Sequence, residues 1–138
     1  MEIRTDFLPL SKPSLGTEEI EAVTRCLESG WITTGPICQA FERSLCELTT
    51  APHAVSFTSG TAAMQLLFTV LGIGPGDEVI TPSFTFASTV NMITLRGARP
   101  VFIDIDYSTL NMNPELLEDL ITPRTRAIIP VHFAGAPA

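Results

Sequence analysis

Apolar positions change their period along this chain, and the changes divide it into elements. An extended start containing Pro9 and Pro13 leads to Thr17, after which Ile20, Val23 and Leu27 recur at helical spacing. Glu18, Glu19 and Glu21 fall in the first turn, where carboxylates favour the positive end of the helix dipole, and Gly30 suits the stop. After the loop Trp31–Pro36, Pro36 suits a second helix start, and Phe41, Leu45 and Leu48 make one apolar face. Short apolar runs and helical runs then alternate. Strands are predicted at 53–58, 78–82, 99–105 and 126–133. Helices are predicted at 60–71, stopped by Gly72, and at 86–95, stopped by Gly97. A further helix starts at Asn113, with Pro114 in its first position and Leu116, Leu117, Leu120 and Ile121 along it.

This alternation predicts an α/β fold, a mainly parallel sheet with helices on both faces. Ligands of such sheets sit beyond the carboxyl ends of the strands. The segments to watch are therefore Thr58–Ala62, Thr81–Phe86, Asp104–Tyr107 and His132–Gly135.

Composition narrows the class. A chain of 138 residues fits one domain and can bury roughly two-thirds of its unfolded surface. With 45% apolar and 17% charged residues it reads as folded rather than disordered. The net charge of −7, with scattered basic residues, disfavours nucleic acid and anionic membranes as partners. No apolar run is long enough to span a bilayer, and MEIRTDFLPL has no signal-peptide pattern. Cys26, Cys38 and Cys46 form no CxxC and read as reduced buried thiols, which makes a cytoplasmic location the default.

SFTSGTAAMQ (56–65) carries the clearest chemistry. A helix starting near Gly60 leaves the N–H groups of Gly60, Thr61 and Ala62 without partners inside the helix. A phosphate there gains those donors and the dipole, and Gly60 has no side chain to block its approach. Simple capping by Ser59 or Thr58 satisfies the same donors with nothing bound. The turn has neither GxGxxG nor GK[ST], which disfavours dinucleotide and P-loop binding. Phe84 and Phe86 in TPSFTF suit either stacking on a flat cofactor or core packing, and the pattern alone favours the core. Asp104 and Asp106 share a strand face, but no third metal ligand is evident, so polar capping is preferred and no metal is assigned. His132 suits a supporting role near a site or a hydrogen-bonded structural role.

Taken in order, SGWITTGP, FTSGTAAM, LGIGPGDEVITPSFTF, GARPVFIDID and ITPRTRAIIPVHFAGAPA resemble the N-terminal part of the DegT/StrS family of sugar aminotransferases. The resemblance implies the large domain of the fold-type-I scaffold and pyridoxal 5'-phosphate as cofactor. Gly60, Thr61 and Ala62 match the turn that holds the cofactor phosphate, and Phe86 matches the aromatic that stacks on its ring. The Trp31–Gly35 loop resembles a segment near the active site at a dimer interface. The implied reaction moves an amino group from glutamate to the keto group of a nucleotide-linked sugar, in a homodimer. PSLGTEEIEAV, ESGWITTGP and VNMI resemble the branch that makes UDP-4-amino-4-deoxy-L-arabinose for lipid A modification and polymyxin resistance.

Such chemistry needs a lysine that holds the cofactor and shuttles a proton, and a carboxylate that keeps the pyridine nitrogen protonated. The one lysine, Lys12, lies far upstream of the motif that carries that role in relatives, so no residue here is assigned as catalytic. The resemblance places the lysine, the aspartate and the small C-terminal domain beyond the position of Ala138. Residues 1–138 therefore read as a partial large domain, inactive alone. A non-catalytic half-domain that binds a phosphate or a partner is the alternative, as is part of a related sugar dehydratase. A piece of a larger sheet should also leave apolar surface exposed and prone to association.

Overall fold

The computed structural model describes residues 6, 7, 9 and 11–138, so part of the extended start before Thr17 lies outside the described residues. The chain divides into two compact units, the second beginning at Phe57.

The first unit holds α1 (Thr17–Glu28) and α2 (Pro36–Thr49), both where the spacing predicts them. Gly16 is the N-cap of α1, and its N–H donates to Glu19 Oε2 at 2.6 Å. That bond lowers the Glu19 pKa from its ordinary value. Cys26, Cys38 and Cys46 are unpaired thiols, half-buried rather than buried.

The apolar stripe of α1 faces outward: Ile20, Val23 and Leu27 are each about 60% exposed or more. Such a stripe favours association, because burying a large aliphatic side chain is worth roughly 1.5–3 kcal/mol. We expect light scattering to show concentration-dependent self-association of the chain. Replacing Ile20, Val23 and Leu27 together by lysine should suppress it while helix content by circular dichroism is kept. Association unchanged in the triple variant would show that other surfaces are responsible.

The second unit holds α3 (Gly60–Val70), β1 (Glu78–Pro82), α4 (Ala87–Leu95), β2 (Arg99–Ile103), α5 (Leu117–Leu120) and β3 (Thr125–Ile128). The strands form a parallel sheet in the order β2-β1-β3. Glu78 to Pro82 pair in unbroken register with Arg99 to Ile103. Against β3 the register steps from Glu78↔Thr125 to Val79↔Ala127, so Arg126 is the extra residue of a bulge. The central strand β1 is buried along its whole length, as fits a strand flanked by parallel neighbours on both sides. Phe68 of α3, Ile93 of α4, Ile73, Val79 and Ala98 form the core, with Met92, Ala127 and Ile129 packed on it. Gly72 and Gly97 end α3 and α4 with positive φ, as expected of helix stops.

Four expectations change. The strand predicted at 99–105 ends at Ile103, and Ile105 instead makes an isolated antiparallel bridge to Met112. Residues 53–58 form no strand, because no neighbouring strand among the described residues offers them a ladder. Instead the N–H and Oγ of Ser56 both donate to Glu42 Oε1 at 2.8 Å. The helix after Asn113 is a 3-10 turn, Pro114–Leu116, followed by the single turn of α5, although Asn113 does cap it by accepting from the Glu115 N–H at 3.0 Å. The last strand stops at Ile128 rather than 133. Ile129 still donates to the Ile80 carbonyl at 2.8 Å, but Pro130 has no N–H to continue the ladder.

Among the described residues, no helix is long and apolar enough to cross a membrane.

Candidate cofactor site

Strand order decides where to look. The chain leaves β1 for β2 on one side and returns to place β3 on the other, so the order reverses at β1. Parallel sheets bind ligands beyond the carboxyl ends at such a reversal. A cavity of about 220 Å³ lies there, lined by Phe84, Thr85 and Phe86 after β1 and by Val131 and Phe133 after β3. Phe86 is 79% exposed, which overturns the core-packing expectation for this ring. The ring of Phe84 lies 4.9 Å from that of Phe133, tilted by 51°. Thr85 Oγ1 donates to Thr89 Oγ1 at 3.0 Å, tying the loop to the buried side of α4.

The turn at Gly60 is the second part. Ser59 is the N-cap of α3, and its Oγ accepts from the Ala62 N–H at 3.2 Å. The capping reading thus holds for Ala62, while the N–H groups of Gly60 and Thr61 have no partner within the helix. A Cβ built on Gly60 would meet nothing within 4 Å, so the space beside these donors is open. This fits the phosphate of a cofactor: two donors, the dipole end of an eleven-residue helix and room for an anion. Gly60, Thr61 and Ala62 do not line the aromatic cavity, although α3 and α4, whose first turns carry the two features, pack together.

The remaining candidates divide. Asp106 Oδ1 accepts from the Ser108 hydroxyl, the Ser108 N–H at 2.8 Å and the Thr109 N–H at 3.1 Å. These bonds hold its carboxyl below the ordinary aspartate value, and Asp104 Oδ1 accepts from the Ile105 N–H at 2.8 Å. Both act as polar caps, the preferred expectation. His132 Nδ1 accepts from the Ala138 N–H at 2.9 Å, in line with its structural reading.

In the first unit the Trp31 indole donates to the Thr34 carbonyl at 3.0 Å and covers Gly35, where any Cβ would overlap the ring. Close approach therefore requires glycine at 35.

Sequence reasoning does not single out Asn111 or Val131, and it marks Phe133 only as part of the strand-end segment His132–Gly135. Asp-Tyr-Ser-Thr at 106–109 carries an Asx-turn signal that marks where the chain folds back before Asn111. Nothing local marks the pairing of Phe133 with Phe84, which is distant in sequence.

Residues 13–138 match the model of the DegT/DnrJ/EryC1/StrS aminotransferase family. The chain belongs to that family. It is similar to a candidate sugar aminotransferase of Streptococcus pneumoniae at 45% identity, with a TM-score of 0.85, over 95% of this chain and 33% of that one. That protein has been solved in apo, pyridoxamine-phosphate and pyridoxal-phosphate forms. DesV of S. venezuelae is 42% identical with a TM-score of 0.79, over 88% of this chain and 33% of that one. NtdA of Bacillus subtilis, solved with bound pyridoxamine phosphate, is 34% identical with a TM-score of 0.80, over 90% of this chain and 29% of that one. This family member thus spans about a third of the length of the solved relatives, and its parallel sheet and helices match the N-terminal part of their fold.

Proposed function

We propose that these residues are the N-terminal, cofactor-binding part of a pyridoxal-phosphate-dependent sugar aminotransferase. The family match over residues 13–138 carries the reading. The open donors at Gly60 and Thr61 and the exposed ring of Phe86 support it. In this reading the N–H groups of Gly60 and Thr61 and the Thr61 hydroxyl receive the phosphate, Ala62 completes the turn, and the Phe86 face covers the pyridine ring. The bound cofactor supplies the electron sink for moving an amino group. The chain's own residues bind and orient it.

The finer proposal is amino transfer from glutamate to a UDP-linked 4-keto sugar, in a homodimer, for UDP-4-amino-4-deoxy-L-arabinose, lipid A modification and polymyxin resistance. It rests on PSLGTEEIEAV, ESGWITTGP and VNMI. No lysine other than the exposed Lys12 is present to shuttle the proton, so residues 1–138 bind the cofactor without turning it over.

The test titrates the purified chain with pyridoxal 5'-phosphate and then supplies glutamate and a UDP-4-keto sugar. Saturable binding that inorganic phosphate displaces, with no 2-oxoglutarate formed above background, is the expected result. Sustained turnover would overturn the assigned inactivity, and absence of saturable binding would overturn the cofactor assignment.

A further inference from the structure

We propose that Asn111 is a positioning residue: through Phe133 it sets one wall of the aromatic cavity beyond β1 and β3, and so the affinity of that cavity for a flat aromatic phosphate. The proposal rests on the reading that the cavity beside Phe86 takes the cofactor ring.

The argument starts at Asp106. Its carboxylate gathers the Ser108 and Thr109 N–H groups, its carbonyl accepts from the Leu110 N–H at 2.8 Å, and its N–H donates to the Asn111 carbonyl at 2.9 Å. Leu110 takes a positive φ of 60°, a conformation that a branched side chain rarely adopts. The surrounding bonds hold it there, and an antiparallel bridge between Ile105 and Met112 closes the loop.

This closed loop delivers Asn111 to a site where it is 4% exposed. Its Oδ1 accepts from the Phe133 N–H at 2.9 Å, and its Nδ2 donates to the Ala136 and Pro137 carbonyls at 3.1 Å each. One side chain therefore satisfies three backbone groups of a segment that lies beyond the end of β3 and has no ladder of its own. Ala134 within that segment has a positive φ of 51°, so the segment relies on such outside bonds to keep its path. Held this way, Phe133 meets Phe84 at 4.9 Å and faces the cavity that Phe86 also lines.

The consequence is specific. Asn111 lines no part of the cavity, yet removing its amide frees the segment that carries Phe133. The proposal therefore requires that Asn111 act only through Phe133, which a double-mutant cycle reads directly.

The experiment compares the full chain with Asn111→Ala, Phe133→Ala and the double variant, at low micromolar concentration. The probe is pyridoxamine 5'-phosphate, which forms no imine with Lys12. Each single change should weaken binding about tenfold, the size of one lost aromatic wall, and the double variant should be no weaker than the weaker single. Hydrogen exchange by mass spectrometry supplies a readout that needs no ligand. In Asn111→Ala, residues 131–138 should exchange about tenfold faster or more, since the Phe133 N–H loses its acceptor. Peptides covering β1 and β2 should keep parent rates.

Unchanged exchange at 131–138, faster exchange throughout the sheet, or losses that multiply in the double variant would each overturn the proposal. Loosened exchange at 131–138 with parent-like probe binding would overturn the link to affinity. A parent chain that fails to bind the probe would overturn the cofactor reading and, with it, the affinity role, while exchange decides the positioning of the segment.

Discussion

Gly60→Ala should weaken binding of pyridoxal 5'-phosphate by roughly tenfold to a hundredfold while leaving the chain as stable as the parent or slightly more so. A charge-assisted hydrogen bond is worth about 1.5–3 kcal/mol, which sets that range for one donor pushed out of reach. The stability expectation is independent. A Cβ at position 60 meets nothing within 4 Å, and alanine is a better helix former than glycine. Binding and folding thus separate at this exposed position. Calorimetric titration checks the first part and thermal melting the second. Pyridoxine, which lacks the phosphate, is the control and should bind parent and variant alike. Equal affinity of parent and variant for the phosphorylated compound would remove the turn at Gly60 from the site.

Glu78→Gln should lower the melting temperature by several degrees at pH 7, and the difference from the parent should close in acid. Glu78 is 3% exposed on the central strand and joins all parts of the sheet at its amino end. Its carboxylate accepts from the Thr122 hydroxyl at 2.7 Å and from Arg124 at 2.7 and 3.1 Å, with Arg99 at 3.4 Å. The Thr122 bond first, then the Arg124 bonds and the two positive charges, lower its pKa from the ordinary value of 4.5 against the opposing effect of burial. Because the folded value is lowered, the stabilisation is fully present above the unfolded carboxyl value and is lost as pH falls through the folded one. Melting temperatures of parent and variant should therefore differ most above about pH 5 and converge below the folded value. A gap of constant size from pH 7 to pH 3 would show that shape, not charge, makes Glu78 necessary.

Glu78 also shows what sequence reasoning leaves out. GDEVITP marks a buried parallel strand, and the strand runs where the apolar run predicts, Glu78–Pro82. Yet the glutamate reads as a polar start to that strand. Its partners come from two segments, Arg99 at the start of β2 and Thr122 with Arg124 just before β3, that only the strand order β2-β1-β3 gathers. Phe86 is a parallel case. TPSFTF looks like core by composition, but the ring stands exposed because the loop leaves the sheet at Pro82. The strand expected at 53–58 fails for the opposite reason, since an extended apolar run becomes a strand only where a neighbour pairs with it.

By itself the sequence determined what depends on neighbours a few residues away. These are the starts of α1 to α4, the glycine stops after α1, α3 and α4, the place of β1 and the small-residue turn opening α3. Helix caps, glycine stops and apolar periods act through bonds and contacts within a turn or two, so they can be read locally. Tertiary structure alone decided what depends on distant chain segments meeting. It reversed the strand order at β1, brought Phe84, Phe86 and Phe133 to one cavity, and buried Asn111 against a segment more than twenty residues away. Those outcomes follow from packing and from satisfying buried backbone groups across the fold, and no local pattern encodes which distant partner will do so.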